Sequence, residues 1–233
     1  MTSLPRAAQD LAVGAGRVAA RAGGLALEGA THAVAVARRA RKPLHPRGSV
    51  WEAELTRTGT LLPTGVPWLD EPGTERAIVR VSAAFGFPHG WPDIQGLALR
   101  LPEQGDADVL LASTGSGRFT RFLLRPVRSS GWHLSSTLLP YRGPEGPLLL
   151  AAAPTEPHQY VLLRAEGQGA WVPFAVLRLL HESTEQPSFD PVRRTVPGLE
   201  NYDWVTRLRE PAYETAREDR GEPPSSTGRD NVT

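Results

Sequence analysis

Residues 147–182 read PLLLAAAPTEPHQYVLLRAEGQGAWVPFAVLRLLHE, and within them lie three runs rich in Leu, Val and Ala, namely PLLLAAAP, QYVLLRAE and WVPFAVLRLLHE. A polar, proline-bearing link and the glycine-rich AEGQG part them. Parallel neighbours need a crossover, usually a helix, and no helical stretch separates these runs, so they read as antiparallel strands. The same texture extends backwards through WHLSSTLLPY (132–141), GRFTRFLLRPV (117–127), DVLLAS (108–113), LALRL (97–101), AIVRVSA (77–83) and SVWEAELTRT (49–58). GPEGP at 143–147 supplies another turn signal. Eight or nine short strands at this spacing predict an antiparallel sheet closing into a β-barrel, in a chain that is mainly β with flanking helices, an α+β arrangement.

The flanks differ in composition. Residues 1–41 are rich in Ala and Arg and poor in acids, and Leu11, Val18, Leu25 and Val34 mark the packing side of a helical arm. Arg17 and Arg21 interrupt the apolar run that a signal peptide needs, and no stretch is apolar for long enough to span a bilayer. The basic cluster Arg38, Arg39, Arg41 and Lys42 reads as a solvated helix end complementing the helix dipole, with membrane contact as the weaker alternative. The barrel is expected over 42–190. A loop and helix follow over 191–222, with Asn201 or Asp203 as its cap and Pro211 kinking it. Residues 223–233 are polar and Pro/Ser-rich, the composition of a disordered tail.

At 233 residues the chain suffices for one domain with a sizeable core, and its net charge of +1 lends no support to nucleic-acid binding. The absence of cysteine excludes disulfides, iron–sulfur clusters and thiolate ligation, and it fits a cytoplasmic setting. His89, His133, His158 and His181 lack the spacing of a zinc or two-metal site. STGSG at 113–117 lacks the lysine and following helix of a phosphate-binding loop, and reads as a hairpin turn. Trp51, Trp68, Trp91 and Phe85 read as core residues.

Near the C-terminus, RLREPAYETAREDRG (207–221) places Tyr213 four residues after Arg209 and seven before Arg220. A phenol titrates near pH ~10, and a guanidinium together with a metal can hold it as phenolate, a form that ligates iron. The plainer reading is a solvated helix with a tyrosine packed on its first turn. Upstream, LHPRGSVWEAEL (44–55) sets His45 before a glycine and a strand, RAIVRVSAAFG (76–86) carries Arg80 and Ser82, and PDIQGLALRLP (92–102) leads from Asp93 through Gly96 into the next strand.

Taken in order, these four segments resemble the catalase superfamily over roughly residues 42–114 and 205–221. The resemblance implies an eight-stranded antiparallel β-barrel of catalase type and a haem b cofactor, with Tyr213 as the proximal iron ligand and Arg209 supporting its charge. It also implies that His45 is the distal acid–base residue, that Ser82 orients its imidazole, and that Lys42, Arg80 and Arg220 meet the haem propionates. The substrate it implies is hydrogen peroxide or an organic hydroperoxide, turned over by a peroxidase or related oxidoreductase, and the arm over 1–41 can exchange between subunits of a homo-oligomer. Two departures stand out. Lys42 replaces an arginine, and Ala112 or Ser113 stands where the family has an asparagine. Losing such a preorganised donor typically costs ~100-fold or more in rate. This leaves two alternatives, a non-catalytic protein holding haem or another apolar ligand on the same fold, or a phosphodiesterase-type hydrolase.

Overall fold

Along Pro72–Ala83 (β2), Glu75, Ala77 and Val79 are buried while the residues between them face outward, the period of two that a half-buried strand imposes. Gln95–Leu101 (β3) alternates likewise, and Arg47–Thr58 (β1) and Ala107–Thr114 (β4) do so apart from residues such as Val50 and Asp108, which are buried on the outer face as well. Leu134–Ser136 (β5), Tyr141–Gly143 (β6), Gly146–Glu156 (β7), Gln159–Glu166 (β8), Val172–Ser183 (β9) and Glu200–Asn201 (β10) complete the strands. This computed structural model describes residues 47–60, 62–87, 91–128, 132–207 and 209. The expected helical arm over 1–41 and the tail over 223–233 lie outside them.

All pairings are antiparallel, and they run β1–β2–β3–β4–β5–β7–β8–β9 and back to β1. Eight strands thus close a barrel, as expected, and closure leaves none of them an open edge. β6 and β10 extend the sheet beside β7. The turn signals fall where the chain reverses: GPEGP joins β6 to β7, and AEGQG joins β8 to β9.

Leu55, Val79, Leu99, Leu101, Leu150 and Leu177 fill the interior. A short helix, Pro67–Asp70 (α1), supplies Trp68 and Leu69 to one end of it. Trp68 packs edge-on to Phe174 with 5.2 Å between ring centroids, and its Nε1 donates to Glu75 Oε1 at 2.7 Å. Gln104 donates to the other oxygen of Glu75 at 2.8 Å, and Arg57 forms an ion pair with it at 3.1 Å. This buried carboxylate is therefore spent on holding the barrel end together.

Four sequence expectations change here. GRFTRFLLRPV is not a strand. Its middle forms a 3₁₀ turn, Thr120–Phe122, because Arg121 buries its guanidinium against the carbonyls of Gly117, Gly167 and Gly169, with Trp171 4.4 Å beneath it. A β-prone sequence yields when its polar head finds such partners elsewhere. STGSG is not a hairpin turn, since β4 ends at Thr114 and the amide of Gly115 bonds Thr120 O to open a long loop instead. Neither Asn201 nor Asp203 caps the last helix. Asn201 donates to the carbonyls of Pro191 and Val192, and the helical turn starts after Tyr202, whose carbonyl accepts from the amide of Thr206. Finally, Trp68 is core and Trp51 packs against it, but Trp91 and Phe85 are exposed.

Candidate functional site

Register rather than sequence assembles the outer wall of the barrel. Gly48 of β1 pairs with Ser82 of β2, Ser82 with Gly96 of β3, Gly96 with Ala112 of β4, Ala112 with Ser136 of β5, and Ser136 with Ala151 of β7. Residues directly opposite one another in a sheet share a face, so a row of six small residues crosses six strands. The parity is set by the interior: Val79, Leu97 and Leu111 point into the barrel, and the row lies on the other side. One step along β2 on that same face stands Arg80, opposite Val50 and Ala98. Burial withdraws its guanidinium from water and lowers its pKa from the usual arginine value.

Gly48 is required at its place. A Cβ there would lie 2.8 Å from Val81 O, 2.9 Å from Ser82 Cβ and 3.2 Å from Arg80 Nε, so β1 would have to part from β2. Gly48→Ala is expected to cost about 1–3 kcal/mol, measured by urea unfolding. A cost near zero would mean that Arg80 and Ser82 are not held as described.

The register sets apart the two residues, Ala112 and Ser113, that the resemblance offers in place of an asparagine. Ala112 belongs to the row. Ser113 faces the other way, its Oγ accepting the amide of Gln95 at 3.1 Å and donating to Arg125 O at 2.7 Å. Asp93, singled out with Gly96 as a turn, proves to be an anchor: its buried carboxylate accepts the amides of Phe85, Gly86, Phe87 and Ile94 at 2.7–3.3 Å.

Arg209, at the far end of the described chain, donates from Nη2 to Thr137 O at 3.2 Å, next to Ser136 of the row. Its charge also favours ionisation of Tyr141, although burial dominates and raises that phenol's pKa. Val205 packs with Leu139 nearby, flanked by Tyr202 and Trp204. His45, Lys42, Tyr213 and Arg220 lie outside the described residues. Ser82, Arg80 and Arg209 are thus the expected site residues that can be placed, the first two side by side on one strand.

Of the remaining histidines, His158 sits with its ring 4.7 Å from Trp51, and His181 lies 3.5 Å from Glu52 on the surface. Among the described residues no three His, Asp or Glu side chains converge as a metal site. Nor is any described helix long and apolar enough to cross a membrane.

No family model matches the sequence, and no curated protein matches it. Solved structures do. A fungal catalase superposes with a TM-score of 0.57 at 14% identity, covering 78% of this chain and 60% of that one. Catalase A from Saccharomyces cerevisiae superposes with a TM-score of 0.54 at 12% identity, covering 77% and 60% respectively. The fold is catalase-like. The chain spans 60% of the length of these catalases, and at such identity the likeness establishes the barrel alone.

The catalase-like barrel explains what could be read in advance and what could not. Arg80 and Ser82 enter through the resemblance as one Arg-x-Ser segment, and a single strand carries both. The row of small residues was missed as a unit because its members are far apart in sequence and only strand pairing aligns them. Gly48 and Gly96, each part of a motif, were its only local signal.

Proposed function

We propose that this chain is a haem-binding catalase-like oxidoreductase acting on hydrogen peroxide or an organic hydroperoxide as a peroxidase or related enzyme. The observation that carries this reading is the row from Gly48 to Ala151, with Arg80 beside it on the outer wall of a catalase-like barrel. A wall of glycine, alanine and serine is flat enough for a planar macrocycle, and Arg80 offers the bidentate fork that a propionate needs. The chain enters this row at Gly48, three residues after His45, and meets its other side where Arg209, four residues before Tyr213, touches Thr137.

Haem held there would supply redox-active iron chemistry toward peroxide. His45 takes a proton from the incoming peroxide and returns it to the leaving oxygen, work suited to imidazole. Ser82 orients that imidazole by a hydrogen bond. Tyr213 would hold the haem as phenolate, kept ionised by the guanidinium of Arg209, and Lys42, Arg80 and Arg220 would neutralise its propionates.

Hemin titration of the purified chain tests the reading: it gives a saturable Soret band with the charge-transfer features of a ferric tyrosinate. In Tyr213→Phe those features vanish or shift. An unchanged spectrum overturns the assignment of Tyr213, and no Soret band at all overturns the haem reading. A second reading, haem or apolar-ligand binding without efficient turnover, draws on Ala112, which offers no donor from the row. It predicts the same spectrum with negligible peroxide consumption.

A further inference from the structure

The loop from β2 to β3 holds two phenylalanines out in water on a hydrogen-bonded frame. Asp93 gathers the amides of Phe85, Gly86 and Phe87, and its own backbone is bonded in both directions to Val127 of the β4–β5 loop. Phe85 and Phe87 stack 5.5 Å apart on this frame. Trp91 follows on the same loop, while Leu123 and Trp132 stand on the one bridged to it. These five side chains are each 44–67% exposed.

Exposed aromatics fixed in this way are costly and mark an interaction surface. Charge identifies its partner. Between Asp108 and Glu145 the sequence contains no acidic residue, and of its five arginines Arg125 and Arg128 lie exposed beside the bridge, while Arg121 is buried and Arg142 pairs with Glu200. In the described part of the β2–β3 loop, the one acid is Asp93, whose carboxylate is buried under amides. Two loops whose described residues present exposed Trp and Phe rings, exposed arginines and no exposed carboxylate match the headgroup region of an anionic bilayer, where aromatics settle at the interface and basic residues meet lipid phosphates.

We propose that these two bridged loops dock the protein peripherally on anionic lipid surfaces. The surface is independent of the haem reading, since none of its residues belongs to the small-residue row.

Co-sedimentation of the full chain with phosphatidylcholine vesicles, with and without phosphatidylglycerol, tests this. The protein pellets with the anionic vesicles and is released by salt, and Phe87→Ser/Trp91→Ser weakens vesicle affinity at least about tenfold. Arg125→Glu, an exposed change with no packing consequence, weakens it about fivefold or more. It serves as the arbiter should the aromatic variant fail to fold. Vesicle binding unaltered in both variants assigns it to the basic segment over 1–41 and overturns the proposal. So does absence of vesicle binding by the parent chain, or a concentration-dependent dimer that the loop variants dissociate.

Discussion

On the haem-enzyme reading, His45→Ala consumes peroxide about 100- to 10,000-fold more slowly than the parent chain while taking up hemin with the same affinity. The two readouts must separate, because a distal imidazole moves a proton without holding the cofactor. Steady-state peroxide consumption gives the first, and hemin titration followed at the Soret band gives the second. Restoring an imidazole from solution should recover part of the lost rate in the alanine variant and none in the parent. Loss of both rate and hemin uptake would make His45 a packing residue. Loss of neither would move the acid–base function elsewhere and leave Ser82 without the partner proposed for it.

The barrel was legible because its signals are local. Alternation in SVWEAELTRT, AIVRVSA and LALRL follows from a two-residue period that any half-buried strand must show, and glycine-rich turns mark the reversals at 143–147 and 165–169. GRFTRFLLRPV misled for the converse reason: its propensity is for strand, but Arg121 lies fully buried among carbonyls contributed by a loop nearly fifty residues away, an interaction no window of sequence contains. The site divides along the same line. Arg80 and Ser82 share a strand and form one Arg-x-Ser segment of the resemblance, whereas Gly48, Ala112 and Ser136 become neighbours only through register. Trp91 and Phe85 show a further limit. Their type favours burial on average, yet Asp93 holds this loop outward, and composition carries no trace of that frame.

Asp108→Ala is expected to destabilise the fold by about 3–5 kcal/mol, because it strands a partner charge away from water. Asp108 is fully buried on the outer face of β4 and receives Nε and Nη2 of Arg100, each at 2.9 Å. Its second oxygen also accepts the amide of Asp190 at 2.7 Å, and Arg194 stands 3.8 Å away. Arg100 in turn donates to Ser188 O and lies over the ring of Phe189, so one carboxylate fastens the segment after β9 to the barrel wall. That segment leads through Asn201 to the helical turn carrying Arg209, which links this anchor to the geometry of the proposed proximal side. Urea unfolding measures the loss, and the double variant Asp108→Ala/Arg100→Leu separates its causes. Removing the stranded guanidinium recovers a substantial part of the stability if desolvated charge is the cost, since the apolar pair leaves no buried ion behind. If the double variant is as unstable as Asp108→Ala, the cost lies in the lost bond to the Asp190 amide and the loosened segment. A loss below about 1 kcal/mol in Asp108→Ala would place this ion pair among ordinary surface pairs and remove the anchor from the account.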